Sequence, residues 1–118
     1  ILVIEDEPSI QNFIKTILAH HGCAAEVAGD GREAMDKLMG TEFEVVFCDY
    51  RIPVMNGRIV YEQYKKMKPG SSTRFIFVTG SAADKELDSF LGENDLFRVM
   101  KPFTSSELLA ALKKISQR

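Results

Sequence analysis

The apolar residues of this chain fall into two alternating patterns. Ile1-Leu2-Val3-Ile4 is a short run rich in β-branched residues, which predicts a strand, and Glu5-Asp6-Glu7-Pro8-Ser9 behind it holds residues that open helices. Ile10, Phe13, Ile14, Ile17 and Leu18 then recur at the spacing of one helical face, with Gly22 as the left-handed residue that ends it. Ala24 to Ala28 reads as a weak strand. Asp30 caps a second helix carrying Ala34, Met35, Leu38 and Met39, with Gly40 as its stop. Phe43 to Cys48 is almost continuously apolar, the mark of a strand covered on both faces. A loop with Pro53 and Gly57 leads to a third helix with Val60, Tyr64 and Met67, closed by Pro69-Gly70. Arg74 to Val78 predicts a fourth strand, Ala83, Leu87, Phe90 and Leu91 a fainter fourth helix, and Leu96 to Met100 a fifth strand. The last helix opens on Thr104-Ser105-Ser106-Glu107, a capping box, and carries Leu108, Ala111, Leu112 and Ile115 on one face.

Strands alternating with helices across short loops predict βαβ units and a parallel sheet sandwiched between helices. Five strands are too few to close a (β/α)₈ barrel, so the sheet is open. With no linker, repeat or low-complexity tract, residues 1–118 are assigned to one α/β domain. Composition supports this: 45% hydrophobic and 27% charged residues are ordinary for a globular protein and exclude disorder, collagen and coiled coil. The longest apolar runs, such as Val45 to Cys48 and Phe75 to Val78, are far too short to enter a membrane, and no signal peptide opens the chain. A formal charge of −2 argues against direct nucleic-acid binding by this chain. Two cysteines suit a reduced, cytoplasmic protein better than a disulfide scaffold.

Open α/β sheets carry their chemistry beyond the carboxyl ends of the strands. The first predicted strand is followed by Glu5, Asp6 and Glu7, the third by Asp49, the fourth by Thr79 and the fifth by Lys101. Carboxylates about 5 Å apart repel by roughly 3 kcal/mol at an effective dielectric of 20. They need cations, of which Lys101 is one. Hard oxygen ligands with no nearby His or Cys favour Mg²⁺ as another. A metal beside a free carboxylate and a lysine is equipment for phosphoryl transfer. Glu7 reads more simply as a helix-start acid complementing the dipole.

The runs Ile-Leu-Val-Ile-Glu-Asp-Glu-Pro (1–8), Cys-Asp-Tyr-Arg-Ile-Pro-Val-Met-Asn-Gly (48–57), Val-Thr-Gly (78–80) and Met-Lys-Pro-Phe (100–103) together resemble a response-regulator receiver domain, the phosphoacceptor of two-component signalling. The resemblance spans the whole chain. It implies a flavodoxin-like, doubly wound five-stranded parallel sheet of order 2-1-3-4-5. It implies that Asp49 accepts a phosphoryl group from a histidine kinase or a histidine phosphotransfer protein. Asp6 would bind Mg²⁺ directly, Glu5 through water, and Asp49 and the backbone carbonyl of Arg51 would complete the protein ligands. Lys101 would bridge to Asp49 and then to the phosphoryl oxygen, Thr79 would follow that oxygen with its hydroxyl, and the Lys101-Pro102 bond would be cis. The signal would leave through the face of the fourth helix, fifth strand and fifth helix, which also offers a homodimer surface.

One position departs from the family. Three residues before the lysine, where a switching Tyr or Phe is usual, stands Arg98. Phe97 is adjacent but points to the other face by strand alternation. Arg98 is read either as salt-bridging on the output face or as silent. Arg51 and Ser81, two residues after the acceptor and the threonine, sit where the family tunes phosphoryl lifetime. Arg51 would screen the acyl phosphate from water.

Rival readings fit less of the chain. Gly29-Asp30-Gly31-Arg32-Glu33-Ala34 matches a G-x-G-x-x-A dinucleotide fingerprint, but a tight turn and a helix cap explain it, and a dinucleotide leaves Asp6, Thr79 and Lys101 unused. A haloacid-dehalogenase-type phosphatase needs a second acid two residues after its nucleophile, where Arg51 stands. A degenerate receiver, acting as a phosphorylation-independent interaction module, takes Arg98 as its best argument. His20-His21-Gly22-Cys23 reads as a helix C-terminus rather than a metal site, and Lys65, Lys66, Lys68, Lys113, Lys114 and Arg118 as dipole-complementing helix ends. Cys23 and Cys48 flank strands that are not neighbours in the implied order, so no disulfide is expected. A start inside the first strand suggests a piece of a larger regulator or hybrid kinase.

Overall fold

The computed structural model describes residues 1–80 and 85–116. Its elements are β1 (Leu2–Ile4), α1 (Pro8–His20), β2 (Glu26–Ala28), α2 (Gly31–Gly40), β3 (Val45–Asp49), α3 (Gly57–Met67), β4 (Arg74–Thr79), α4 (Lys85–Glu93), β5 (Phe97–Met100) and α5 (Ser105–Ser116). All strand pairs are parallel, in the order β2-β1-β3-β4-β5. After β2 the chain crosses back over β1 to reach β3. Since crossovers keep one hand, α2, α3 and α4 lie on the face opposite α1, and α5 returns to the α1 face.

Strand alternation divides the core in two. Leu2, Ile4, Val46, Cys48, Phe75 and Phe77 pack under α2, α3 and α4, whereas Val3, Val45, Phe47, Ile76 and Val99 pack under α1 and α5. Burying each such side chain stabilises the fold by roughly 1.5–3 kcal/mol. Beneath α3 and α4 the rings of Phe75, Phe77 and Phe90 meet Tyr61 edge-on at 5.1, 6.1 and 5.6 Å.

The element boundaries differ from the pattern at informative places. Asp49 lies inside β3, paired in register with Val78, so this strand runs one residue past its apolar run. Gly22 has φ +74°, as expected of a helix terminator. Gly40 does not play that part: it is the last residue of α2, and extended Thr41 is the cap. Met67 and Phe13, both assigned to apolar faces, are exposed, Met67 as the last residue of α3 and Phe13 against the ring of Phe103. Ala83, assigned to the fourth helix, lies outside the described residues. Among the described residues no helix is long and apolar enough to cross a membrane.

Candidate functional site

Register brings four strand ends to one edge of the sheet. Ile4 pairs with Cys48, so Glu5 falls one step past that rung beside Asp49, and the Glu5 amide continues the ladder by donating to Ala28 O at 3.0 Å. Thr79 pairs with Met100, and the Lys101 amide donates to Thr79 O at 2.8 Å. Glu5, Asp49 and Lys101 each follow a residue of the α1/α5 face by two positions, so alternation sends their side chains the same way. Thr79 follows Phe77 and has the opposite parity.

The three side chains of like parity form an ion cluster. Lys101 Nζ lies 2.8 Å from Asp49 Oδ2 and 2.9 Å from Glu5 Oε1. Glu5, Asp49 and Thr79 are 2%, 7% and 2% exposed. Glu5 Oε2 accepts from the backbone N–H of Asp6 at 2.9 Å, and Asp49 Oδ1 from that of Arg51 at 3.1 Å. Two buried carboxylates thus share one ammonium. Burial, reinforced by the neighbouring Asp49 charge, pushes the Glu5 carboxyl up to about 7 against the opposing pull of Lys101. For Lys101 burial acts to lower the pKa, but its bonds to Asp49 and Glu5 outweigh that and hold it above the usual lysine range, so it stays an ammonium. Burial, with the Asp49 and Glu5 charges, raises the Cys48 thiol well above its ordinary range, which makes it inert.

The rim adds a third carboxylate. Asp6 is exposed, and one carboxylate oxygen from each of Glu5, Asp6 and Asp49 lies within 4.8 Å of the others. The donor set is all hard oxygen, three carboxylates with the Lys101 ammonium bonded to two of them. That fits a divalent cation of the Mg²⁺ type and no soft metal. Thr79 Oγ1 is fully buried with no hydrogen-bond partner among the described residues. A buried hydroxyl in that condition is uncommon and costly, and it marks room for an acceptor that arrives.

Local sequence explains how the edge is assembled. A Cβ on Gly57 would lie 2.8 Å from Asp49 O and 3.0 Å from Cys48 Sγ, so only glycine lets α3 begin against the end of β3. A Cβ on Gly31 would lie 2.5 Å from Met55 Cβ and from Met55 O. Gly31 therefore admits the β3–α3 loop to the start of α2, which fills the place a dinucleotide phosphate would need. Asp30 caps α2 by accepting from the Glu33 amide at 2.8 Å. The dinucleotide fingerprint is a cap and a close approach.

The remaining expected residues fall as follows. Lys101-Pro102 is cis. Arg51 is exposed at the rim. Ser81 lies outside the described residues. Phe97 packs with Val99 on the α1/α5 face, and Arg98 points the other way, its Nη2 2.5 Å from Asp88 Oδ1 of α4. Of the two alternatives for Arg98, the salt bridge is the one the structure takes, while its Nη1 is buried without a partner among the described residues. His21 Nδ1 is 3.2 Å from Ile17 O at the end of α1, and Lys68 Nζ donates to Leu38 O at the end of α2, both helix-end contacts. Cys48 and Cys23 belong to opposite faces of the sheet. One residue escaped the sequence reading: Gln11 of α1, whose Nε2 donates to Glu5 O at 2.6 Å. Its signal was a polar side chain in line with Ile14 and Leu18.

Fold and site together define a class, and comparison with known proteins agrees. Residues 1–113 match the response regulator receiver domain, and the chain belongs to that family. It is 29% identical over 120 residues to the response regulator ArlR of Staphylococcus aureus, covering 100% of this chain and 52% of that protein. The chain thus spans about half the length of the curated relatives it matches. Among solved structures it is similar to the chemotaxis protein CheY4 of Vibrio cholerae, with a TM-score of 0.86 at 26% identity over 97% of this chain and 95% of that one. It is also similar to the response regulator TrrA of Thermotoga maritima, solved in complex with Mg²⁺ and beryllofluoride, with a TM-score of 0.81 at 29% identity over 97% and 96% of the two chains.

Proposed function

We propose that this receiver domain, spanning residues 1–118, takes a phosphoryl group onto Asp49 in a Mg²⁺-dependent reaction with the phosphohistidine of a cytoplasmic kinase or phosphotransfer protein. An Asp49 carboxylate oxygen forms the new P–O bond while the P–N bond to the donor's imidazole breaks and its electron pair leaves with that nitrogen. The observation that supports this best is the buried Asp49–Lys101–Glu5 cluster, with the buried Thr79 hydroxyl, unpartnered among the described residues, at the same edge of the sheet.

Each residue has a share in the chemistry. Lys101 holds Asp49 oriented through its 2.8 Å bond, and passes that N–H bond to a phosphoryl oxygen once the acyl phosphate forms. Thr79 donates its hydroxyl, unpartnered among the described residues, to another of those oxygens. Glu5, Asp6, Asp49 and the Arg51 carbonyl are the residues to hold Mg²⁺, which when bound neutralises charge on the transferred group. Arg51, at the rim, screens the product from water. Thr79 and Arg98 carry the change to the α4–β5–α5 face, where the Asp88 pair reports it and a second copy can dock. With Asp6, Asp49, Thr79 and Lys101 all at one edge, nothing favours the phosphorylation-independent alternative.

Adding beryllofluoride, a phosphoryl mimic, with Mg²⁺ tests the reading by amide NMR. Expected are shifts at Asp49, Thr79 and Lys101 spreading to β5, all lost in Asp49→Ala. Unchanged spectra for the native chain would reject it.

A further inference from the structure

The Glu5–Asp6 peptide joins two of the three site carboxylates, and its two polar ends are held separately. Its N–H is bonded by Glu5's own Oε2 at 2.9 Å, and its C=O by Gln11 Nε2 at 2.6 Å. Side chains in a helix lean toward its N-terminus, so Gln11, in the first turn of α1, reaches back over the end of β1. The α1 N-cap, Glu7, makes no side-chain cap bond, and the side-chain hydrogen bond between helix and loop is made by Gln11.

These two ties differ in what a cation would do to them. Glu5 Oε2 also accepts from the Glu7 amide at 3.4 Å, and the same carboxylate is shared with Lys101 and the metal site, so the N–H tie is in competition. The Gln11 tie uses the carbonyl, which none of those partners touches. We propose that Gln11 is a positioning residue: it fixes the plane of the Glu5–Asp6 peptide and thereby aims the Asp6 carboxylate at the cation. This rests on the metal-dependent reading above.

The test is Mg²⁺ titration by calorimetry of the native chain, Gln11→Met, which keeps the volume but no donor, and Gln11→Ala. Outer partners that orient a metal ligand typically shift affinity by about 10–100-fold. We expect Mg²⁺ binding roughly 10-fold weaker in both variants. With phosphoramidate as donor, the half-saturating Mg²⁺ concentration should rise likewise, with the rate at saturating Mg²⁺ unchanged. Asn12→Ala, exposed on the same helix, should match the native chain. Native-like Mg²⁺ affinity in both Gln11 variants would overturn the proposal while leaving the metal site intact. A native chain that binds no Mg²⁺ would overturn both.

Discussion

Two ends of one sheet bury polar groups, and they treat them oppositely. At the amino end of β4, Tyr64 Oη donates to Thr73 Oγ1 at 3.0 Å and lies 2.6 Å from Ser71 Oγ, while Thr73 Oγ1 donates to Phe43 O at 2.5 Å and Ser71 Oγ to Glu42 Oε1 at 3.0 Å. Tyr64 is fully buried, and every polar atom of this group has a partner. At the carboxyl end, Thr79 Oγ1 has none among the described residues, and two buried carboxylates share one lysine. The first arrangement fastens strand to helix. The second leaves charge and hydrogen-bonding capacity unsatisfied, which a fold tolerates where function requires it. The same kind of residue, a buried threonine on β4 or just before it, is a fastener at one end and is left unsatisfied among the described residues at the other.

That contrast can be broken from either side. The largest effect belongs to Asp49→Asn, which should abolish phosphoryl incorporation because it removes the proposed attacking carboxylate. Its thermal stability should not fall, because one of two repelling buried carboxylates is neutralised. Tyr64→Phe at the far end should do the reverse. It leaves Thr73 and Ser71 short of a partner and should cost about 1–3 kcal/mol in urea unfolding, with phosphorylation unchanged.

Thr79→Val sharpens the comparison further. It removes a buried hydroxyl that has no partner among the described residues, so unfolding free energy should hold or rise by up to about 1 kcal/mol, whereas a satisfied threonine would lose that much. The same variant should accept phosphate yet lose the amide shifts on β5. Smallest is Asp88→Asn. The Arg98 pair is partly solvated, with side chains 29% and 45% exposed, so stability should change by less than about 1 kcal/mol. The response of α4 to beryllofluoride should still be altered. A native-like response there would remove Arg98 from the signal path.

Much of this was legible in the chain because the fold writes its site at the ends of apolar runs. Glu5, Thr79 and Lys101 each follow such a run directly, and parallel register then brings them level. The position of Asp49 one step deeper, inside the ladder with Val78, was not legible, since an acid contradicts strand patterning and only tertiary pairing overrides it. Gly40 misled because a glycine at a helix end need not be left-handed, and here Thr41 took the cap. Gly31 and Gly57 looked like turn residues, but what they provide is contact with Met55 and with the backbone of Asp49 across the sheet edge. Such contacts depend on residues distant in sequence. Gln11 was overlooked for a similar reason: its partner is a carbonyl, which no side-chain pattern announces.

We propose that the carboxyl end of the sheet is a phosphoacceptor. Incubating the chain with phosphoramidate and measuring intact mass with and without Mg²⁺ tests it most directly. The expected result is a single phosphoryl group per chain, formed only with Mg²⁺, mapped to Asp49 and absent from Asp49→Asn. Incorporation that persists in Asp49→Asn, or none in the native chain at saturating Mg²⁺, would contradict the account.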